Sequence, residues 1–424
     1  MQKLKFAFKI IYIVLIVLVS GSANSFFRSY LAIFIVLGIS LLISIFDNIN
    51  LPKAYISFLF VWSLYFLLNY LIVGKFNYLN YFRFIIFAYI GVVFINLFQL
   101  NRLLYFYEII IYYLSIISLI FFSTEVLFGN AFISLLDKFN LRGDLFIDQP
   151  HLKYINIIIY TVLRYYDGSI RNCGFAFEPG PFSIFVAFAL FFYYLRSNFS
   201  SFFNKRSLIF ILTILSTLST TGYILLFIIV FLYIRNDKSI KNYRFMFTLS
   251  IFAVFVFLFF YIDILYDKII LLYNSGLEIE DNMNRFAQLN KSFSAGRFGG
   301  LYIAYNDFLK FPFGGLGGSR ELSYGTFGTN IAALISGFAT ILSNYGLFGV
   351  FALFYLLSAS SHKVKYYYPH KLSNIFFILI YFVSIFSFNI HLNYFFFSIL
   401  FMGLFYYKFN NRLNNRRFAD EYMA

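Results

Sequence analysis

Apolar runs long enough to bridge a bilayer recur along the chain, separated by short turns dotted with lysine and arginine. A helix needs ~20 apolar residues to cross ~30 Å of hydrocarbon. Segments of that kind fall near 5–22, 30–46, 54–74, 82–99, 103–128, 181–195, 246–265, 333–358, 373–389 and 392–408. The stretch 207–234 breaks the rhythm. It is too long for one crossing and is interrupted by Ser216-Thr217-Leu218-Ser219-Thr220-Thr221-Gly222. Both its flanks are basic, with Lys205 and Arg206 before it and Arg235, Lys238, Lys241 and Arg244 after it. Basic flanks mark the cytoplasmic side, so this segment is expected to enter and return, as two short helices or a re-entrant hairpin. Irregular backbone at that depth survives only inside protein or against a cavity. Counting the segment twice predicts an all-α polytopic membrane protein with about twelve transmembrane helices, one integral membrane domain over 1–424.

The charges orient those spans. With the N-terminus inside, 19 of the 33 Lys and Arg fall in short cytoplasmic loops and tails, and only Arg28, Lys75 and Arg83 in short outer loops. Both termini are therefore expected in the cytoplasm. The first apolar run follows Lys3, Lys5 and Lys9 like a signal peptide, but no small-x-small cleavage site follows it, so a retained helix is expected. Two outer loops are long, 129–180 and 266–332, and carry the other eleven basic residues, among them Arg142, Arg164, Arg171, Lys268, Lys291, Arg297 and Arg320. Long loops escape the charge rule. Solvation accounts for part of these charges, and the rest fit an anionic ligand at the outer face.

Composition removes several alternatives. With 61% hydrophobic and 12% charged residues, a water-soluble domain of this size is excluded. The net charge of +15 sits in loops between apolar runs, where topology and anionic lipid head groups explain it without nucleic acid. The single cysteine, Cys173, excludes an internal disulfide, and the four histidines lack metal-ligand spacing, so neither a metal nor another cofactor is expected. Aromatics reach 24%, and tyrosine faces do stack on sugars. Phe, Tyr, Ile, Asn and Lys rise together here, however, as AT-rich coding would produce, so that abundance carries no argument.

The strongest chemical signal is Arg171-Asn172-Cys173-Gly174-Phe175-Ala176-Phe177-Glu178-Pro179-Gly180-Pro181, where the first long loop becomes an apolar segment. Ionisable groups at a membrane boundary are costly and by default mark a functional site. Pro179 and Pro181 fix the backbone there. One reading is an interfacial salt bridge that pins the loop. The other is an arginine that grips phosphate oxygens through its planar fork, with a carboxylate that orients it or accepts a proton.

In the second loop, Ser294 is placed to cap a helix that Pro312 ends, with Arg297, Leu301, Ala304 and Phe308 on one face. Such a helix would lie on the membrane or pack over the bundle. The run Gly314-Gly315-Leu316-Gly317-Gly318 lets backbone approach a ligand or a neighbouring helix. It lacks the strand and lysine of a nucleotide-binding loop.

Taken in order, Arg171-x-x-Gly174-x-x-x-Glu178-Pro179, the Ser/Thr stretch ending at Gly222, Gly296-Arg297 leading to Phe311-Pro312-Phe313-Gly314-Gly315-Leu316-Gly317, and Asn344-Tyr345-Gly346-Leu347-Phe348-Gly349 resemble the O-antigen polymerase family of bacterial membrane glycosyltransferases. The resemblance covers roughly 165–355. It implies an inner-membrane enzyme acting on the periplasmic side, which moves a growing glycan from undecaprenyl pyrophosphate to the non-reducing end of a new lipid-linked repeat unit. Membrane lipids and a chain-length regulator are the other partners it implies. Arg171 and Arg297 would neutralise the leaving pyrophosphate, and Glu178 would be the base, with Asp307 and Glu321 as weaker candidates. Arg164, Asn172, Gly174, Pro179, Thr221, Gly222, Tyr223, Gly315, Gly317 and Arg320 are the positions expected to contact substrate. O-antigen ligases share the topology but carry a functional histidine near the second loop, where this chain has Ile335 and Ser336. A capsule or exopolysaccharide polymerase stays open. A lipid-oligosaccharide flippase would show matching broken helices in two halves, and only one broken segment is visible. His391 is expected as an interfacial residue of a short outer turn.

Overall fold

The structure is a computed structural model that describes residues 2–140 (except 23 and 76), 153–164, 169–237 (except 200, 201 and 203), 277–289, 293–327 and 330–406, with isolated positions between 243 and 274. Most of the run expected at 246–265, the loop residues Arg142, Lys268 and Lys291, and the C-terminal tail lie outside the described residues.

The apolar runs are helices: α1 (Gln2–Gly21), α2 (Ser25–Arg28), α3 (Tyr30–Phe46), α4 (Lys53–Val73), α5 (Tyr78–Ile95) and α6 (Leu100–Phe128). Polar turn residues set their ends. Ser29 and Asn77 accept hydrogen bonds from backbone N–H groups in the first turns of α3 and α5, and Gly74 closes α4 in the left-handed region. Beyond the first long loop come α7 (Asn130–Asp137), β1 (Lys153–Asn156), β2 (Thr161–Arg164), α8 (Pro179–Arg196), α9 (Lys205–Ser216) and α10 (Thr220–Asn236). The rest of the described chain forms α11 (Ile279–Gln288), β3 (Phe293–Ser294), α12 (Gly296–Lys310), β4 (Thr326–Phe327), β5 (Asn330–Ala333), α13 (Gly337–Tyr367), α14 (Ser373–Ser387), α15 (Tyr394–Leu400) and α16 (Met402–Phe405). Among the described residues, five helices (α4, α5, α6, α8 and α13) are long and apolar enough to cross a membrane. Shorter apolar helices are α3, α10 and α14.

The pillar of the bundle is α8. Every residue from Pro179 to Leu195 is buried, as expected for a helix that is apolar on all sides. Packed around it are α6, α9, α10 and α14. The interruption at 217–219 is a genuine break between α9 and α10, with Leu218 at φ +46° and Ser219 capping α10 by accepting from Gly222 N–H. At the opposite end of α8, Glu108 of α6 is 1% exposed and accepts from Arg196 Nε and Nη2 at 3.0 and 3.1 Å and from Arg206 Nη1 at 2.6 Å. That cluster ties α6, α8 and α9 together.

Both long loops hold short strands, so the all-helical expectation is amended there. In the first, the β1–β2 hairpin and α7 close on Ile133, Leu136, Ile155, Tyr160 and Val162. In the second, β3 and β4 flank β5, and a small core of Ile279, Met283, Ala295, Ile303 and Ala332 joins the sheet to α11 and α12. Ser294 does not cap α12. It belongs to β3, and the chain turns into the helix through Ala295 and Gly296, the latter at φ +64°. The buried stripe of α12 is also not the expected one: it runs Gly299, Gly300, Ile303, Ala304 and Asp307, because two glycines and a hydrogen-bonded carboxylate sit inward.

The glycine-rich run meets a break in α13. Gly346 leaves helical geometry (φ 55°, ψ −146°), freeing backbone groups on both sides of it. Leu316 and Gly317 N–H donate to Ser343 and Asn344 O at 2.9 and 2.8 Å, while Leu347 and Phe348 N–H donate to Pro312 and Phe313 O at 2.8 and 3.1 Å. A Cβ at Gly315 would lie 2.4 Å from the Asn344–Tyr345 peptide, and one at Gly346 would lie 2.5 Å from Pro312 O. The two motifs are therefore one structural joint.

Candidate functional site

Four separate stretches converge on the end of the bundle where α8 begins. Glu178 is the residue before α8, extended at φ −148° and ψ 159°. Pro179 and Pro181 lack N–H groups, so two of the donors a helix start normally leaves bare are absent, while Gly180 keeps its own. Gly180 also admits the Phe388 ring, which would lie 2.2 Å from a Cβ at that position. The loop before Glu178 is stapled by Asn172, which is fully buried. Its side chain donates to Ser118 Oγ of α6 at 3.2 Å and to Ser216 Oγ at 2.9 Å, and accepts from Gly174 N–H at 3.0 Å. Gly174 takes φ +51° against the face of Phe182, and its carbonyl accepts from Thr161 N–H of β2.

Arg171, Glu178, Tyr223 and Arg297 remain half-buried among these buried neighbours. Arg297 opens α12, donates from Nε to Ser387 O at 3.3 Å, and lays its guanidinium over the Phe388 ring at 5.2 Å. Burial pushes the pKa of Arg297 down from its ordinary value, and the Glu178 carboxylate pulls it back up. Arginine stays charged under either influence. Arg171 acts electrostatically on the Tyr223 hydroxyl, and both Arg171 and Glu178 act on Cys173. Burial pushes the Cys173 thiol well up, and the Glu125 and Glu178 carboxylates add to that, so it is no nucleophile. Two arginines, a carboxylate and a phenol thus form one half-buried cluster near the N-terminal ends of α8, α10 and α12. The helix ends reinforce positive potential there.

The other expected positions divide clearly. Thr221 is buried and donates to Ser387 Oγ at 2.9 Å, and Gly222 packs against Ser183, so both hold α10 to α8 and α14. The Tyr223 hydroxyl donates to Leu215 O at 3.1 Å. Arg164 is committed elsewhere, to Glu125 Oε1 at 3.3 Å and Asn130 Oδ1 at 3.2 Å, with Tyr160 donating to the same buried Glu125 at 2.9 Å. Gly315 and Gly317 serve the α13 joint, and Gly317 also abuts Asn69. Arg320 lies in a short 3-10 turn, Arg320–Leu322. Asp307 is not a free base: it is fully buried and accepts from Ser323 Oγ, Tyr324 N–H and Ser343 Oγ. Glu321 is exposed and ion-paired with Lys75, whose ammonium holds its carboxyl below the usual range.

Ser387 and Phe388 escape sequence reasoning altogether. They end an apolar helix in a chain with 65 Phe, where neither residue type stands out. The chain matches no protein-family model, no curated protein and no solved structure.

Proposed function

We propose that this chain is an O-antigen-type polysaccharide polymerase of the bacterial inner membrane, with about twelve spans, cytoplasmic termini and its site facing the periplasm. The observation that carries the reading is the meeting of Arg171 and Glu178, from the end of the first long loop, with Arg297, from the second. The donor is a glycan on undecaprenyl pyrophosphate, and the acceptor is a new lipid-linked repeat unit. The acceptor hydroxyl attacks the anomeric carbon, the C–O bond to pyrophosphate breaks, and that electron pair stays on the departing pyrophosphate. Arg171 and Arg297 stabilise the charge that develops there, supported by oriented helix N-termini. Glu178 takes the hydroxyl proton.

Surface-glycan gels test the reading. Deleting the gene should leave single repeat units on the surface lipid, where loss of a flippase would leave none. Arg171→Ala and Arg297→Ala, at normal protein levels, should reproduce the single-unit pattern. A long ladder from both variants would defeat the site assignment, and full polymer synthesis by Glu178→Gln would remove the base from it.

A further inference from the structure

The turn after α14 that serves Arg297 through Ser387 and Phe388 continues to His391, which lines a different space. There α4, α13 and α15–α16, with Phe84 of α5, line an open-sided cavity of about 480 Å³. Its walls are almost wholly apolar, including Phe58, Leu353, Leu400 and Phe401. At its mouth stand Val61 of α4 and Tyr355 of α13, 49% and 64% exposed on the apolar flank of the bundle.

Several polar groups in and around it lack hydrogen-bond partners. His391 is only 3% exposed, not the interfacial residue expected, and neither ring nitrogen makes a hydrogen bond. Trp62 is 6% exposed and its indole N–H is likewise unsatisfied. Nearby, Arg83 Nε and the Tyr394 hydroxyl are buried without partners, and the Arg83 charge acts on His391, Tyr345 and Tyr394. Buried polar groups are nearly always satisfied. Two such exceptions, His391 and Trp62, line this apolar pocket, and Arg83 acts on it from behind His391 and Tyr345, which marks a place for a ligand that is apolar along its length and an acceptor, best an anion, at one end.

We infer that this cavity seats the carrier end of a second lipid-linked substrate, its isoprenoid chain between α4 and α13 and its phosphate toward Arg83, His391 and Trp62. The identity of the lipid rests on the polymerase reading. That reaction brings two lipid-linked substrates together, and the arginine cluster would take the pyrophosphate of one. The shared turn from Ser387 to His391 sets the second beside it.

Trp62 is the chain's single tryptophan, so its emission reports on this cavity alone. Undecaprenyl phosphate titrated into the purified full-length protein in detergent should give a saturable change in that emission. Ala352→Phe, which projects into the cavity, should weaken apparent affinity at least tenfold, and Val61→Phe at the mouth gives an independent check on it. Arg83→Gln should weaken undecaprenyl phosphate and leave uncharged undecaprenol unaffected. An equal response to dioleoylphosphatidylglycerol would mean ordinary bilayer lipid fills the groove and would overturn the inference, as would unchanged affinity in both cavity-filling variants. The readout is binding, so a long glycan ladder that survives deletion of the gene would sink the polymerase reading without touching this result.

Discussion

Arg297 is held by a backbone carbonyl and an aromatic face, neither of which carries a charge of its own. That fixes the guanidinium's plane, with the Glu178 carboxylate as the charge acting on it. Lysine at either arginine position would keep the charge and lose the planar fork, so Arg171→Lys and Arg297→Lys should each cut polymer formation at least tenfold in a membrane assay with lipid-linked repeat units. His391 responds to pH instead. Burial first, and then the Arg83 charge, pushes its pKa down to about 3, against ~6.5 in an unfolded chain. Between those values the unfolded chain binds a proton that the folded one refuses. Stability is therefore whole above about pH 6.5 and declines as pH falls, by about 2 kcal/mol at pH 5. Thermal unfolding in detergent should show a larger loss between pH 7.5 and 5 for wild type than for His391→Gln. Arg171, Glu178 and Arg297 were legible in the sequence because ionisable groups beside apolar runs are rare. Ser387, Phe388 and the buried Glu125 were not, since their roles come from partners distant in the chain.

Helices obey a different legibility. The apolar runs were found because each spans several turns, and the break at 217–219 because hydroxyl residues cluster between basic flanks. Strands of two to four residues carry no readable period, and α13 runs past its apolar stretch to Tyr367, carrying Lys363 and Lys365 on its last turns. Asn344-Tyr345-Gly346 falls inside the single apolar run 333–358, whereas the structure makes it half of a joint whose other half lies at 312–317. Its glycines are accordingly irreplaceable. Gly315 and Gly346 adopt positive φ and face backbone at 2.4–2.5 Å, so Gly315→Ala and Gly346→Ala should each lose at least ~2 kcal/mol by thermal melting. Gly38, inside α3 with open space around it, is the control, and Gly38→Ala should gain ~0.5–1 kcal/mol. Glu108→Ala should cost roughly 3 kcal/mol in the same assay, the low end for a buried ion cluster because Arg196 and Arg206 keep some contact with solvent.

At the scale of the molecule, the second long loop is not an appendage. Tyr65 and Asn69 of α4 donate to Gly314 and Gly315 carbonyls at 2.6–3.0 Å, Asn77 donates to Gly318, and Lys75 pairs with Glu321. Asp307 adds a further tie, from α12 to Ser343 of α13. These bonds clamp the loop over α4, α5 and α13 and so fix where α12 presents Arg297. The clamp also makes a topological statement: the turn between α4 and α5 lies at the same end of the bundle as the arginine cluster. In a Cys173→Ser background, cysteines replacing Lys75 and Glu321 should be joined in high yield by a short bis-thiosulfonate. Under the periplasmic reading, either cysteine alone should react with a membrane-impermeant maleimide added to spheroplasts. Cross-linking without outside labelling would keep the clamp and invert the orientation. Outside labelling without cross-linking would keep the orientation and break the clamp, leaving Arg297 with no fixed place beside Glu178.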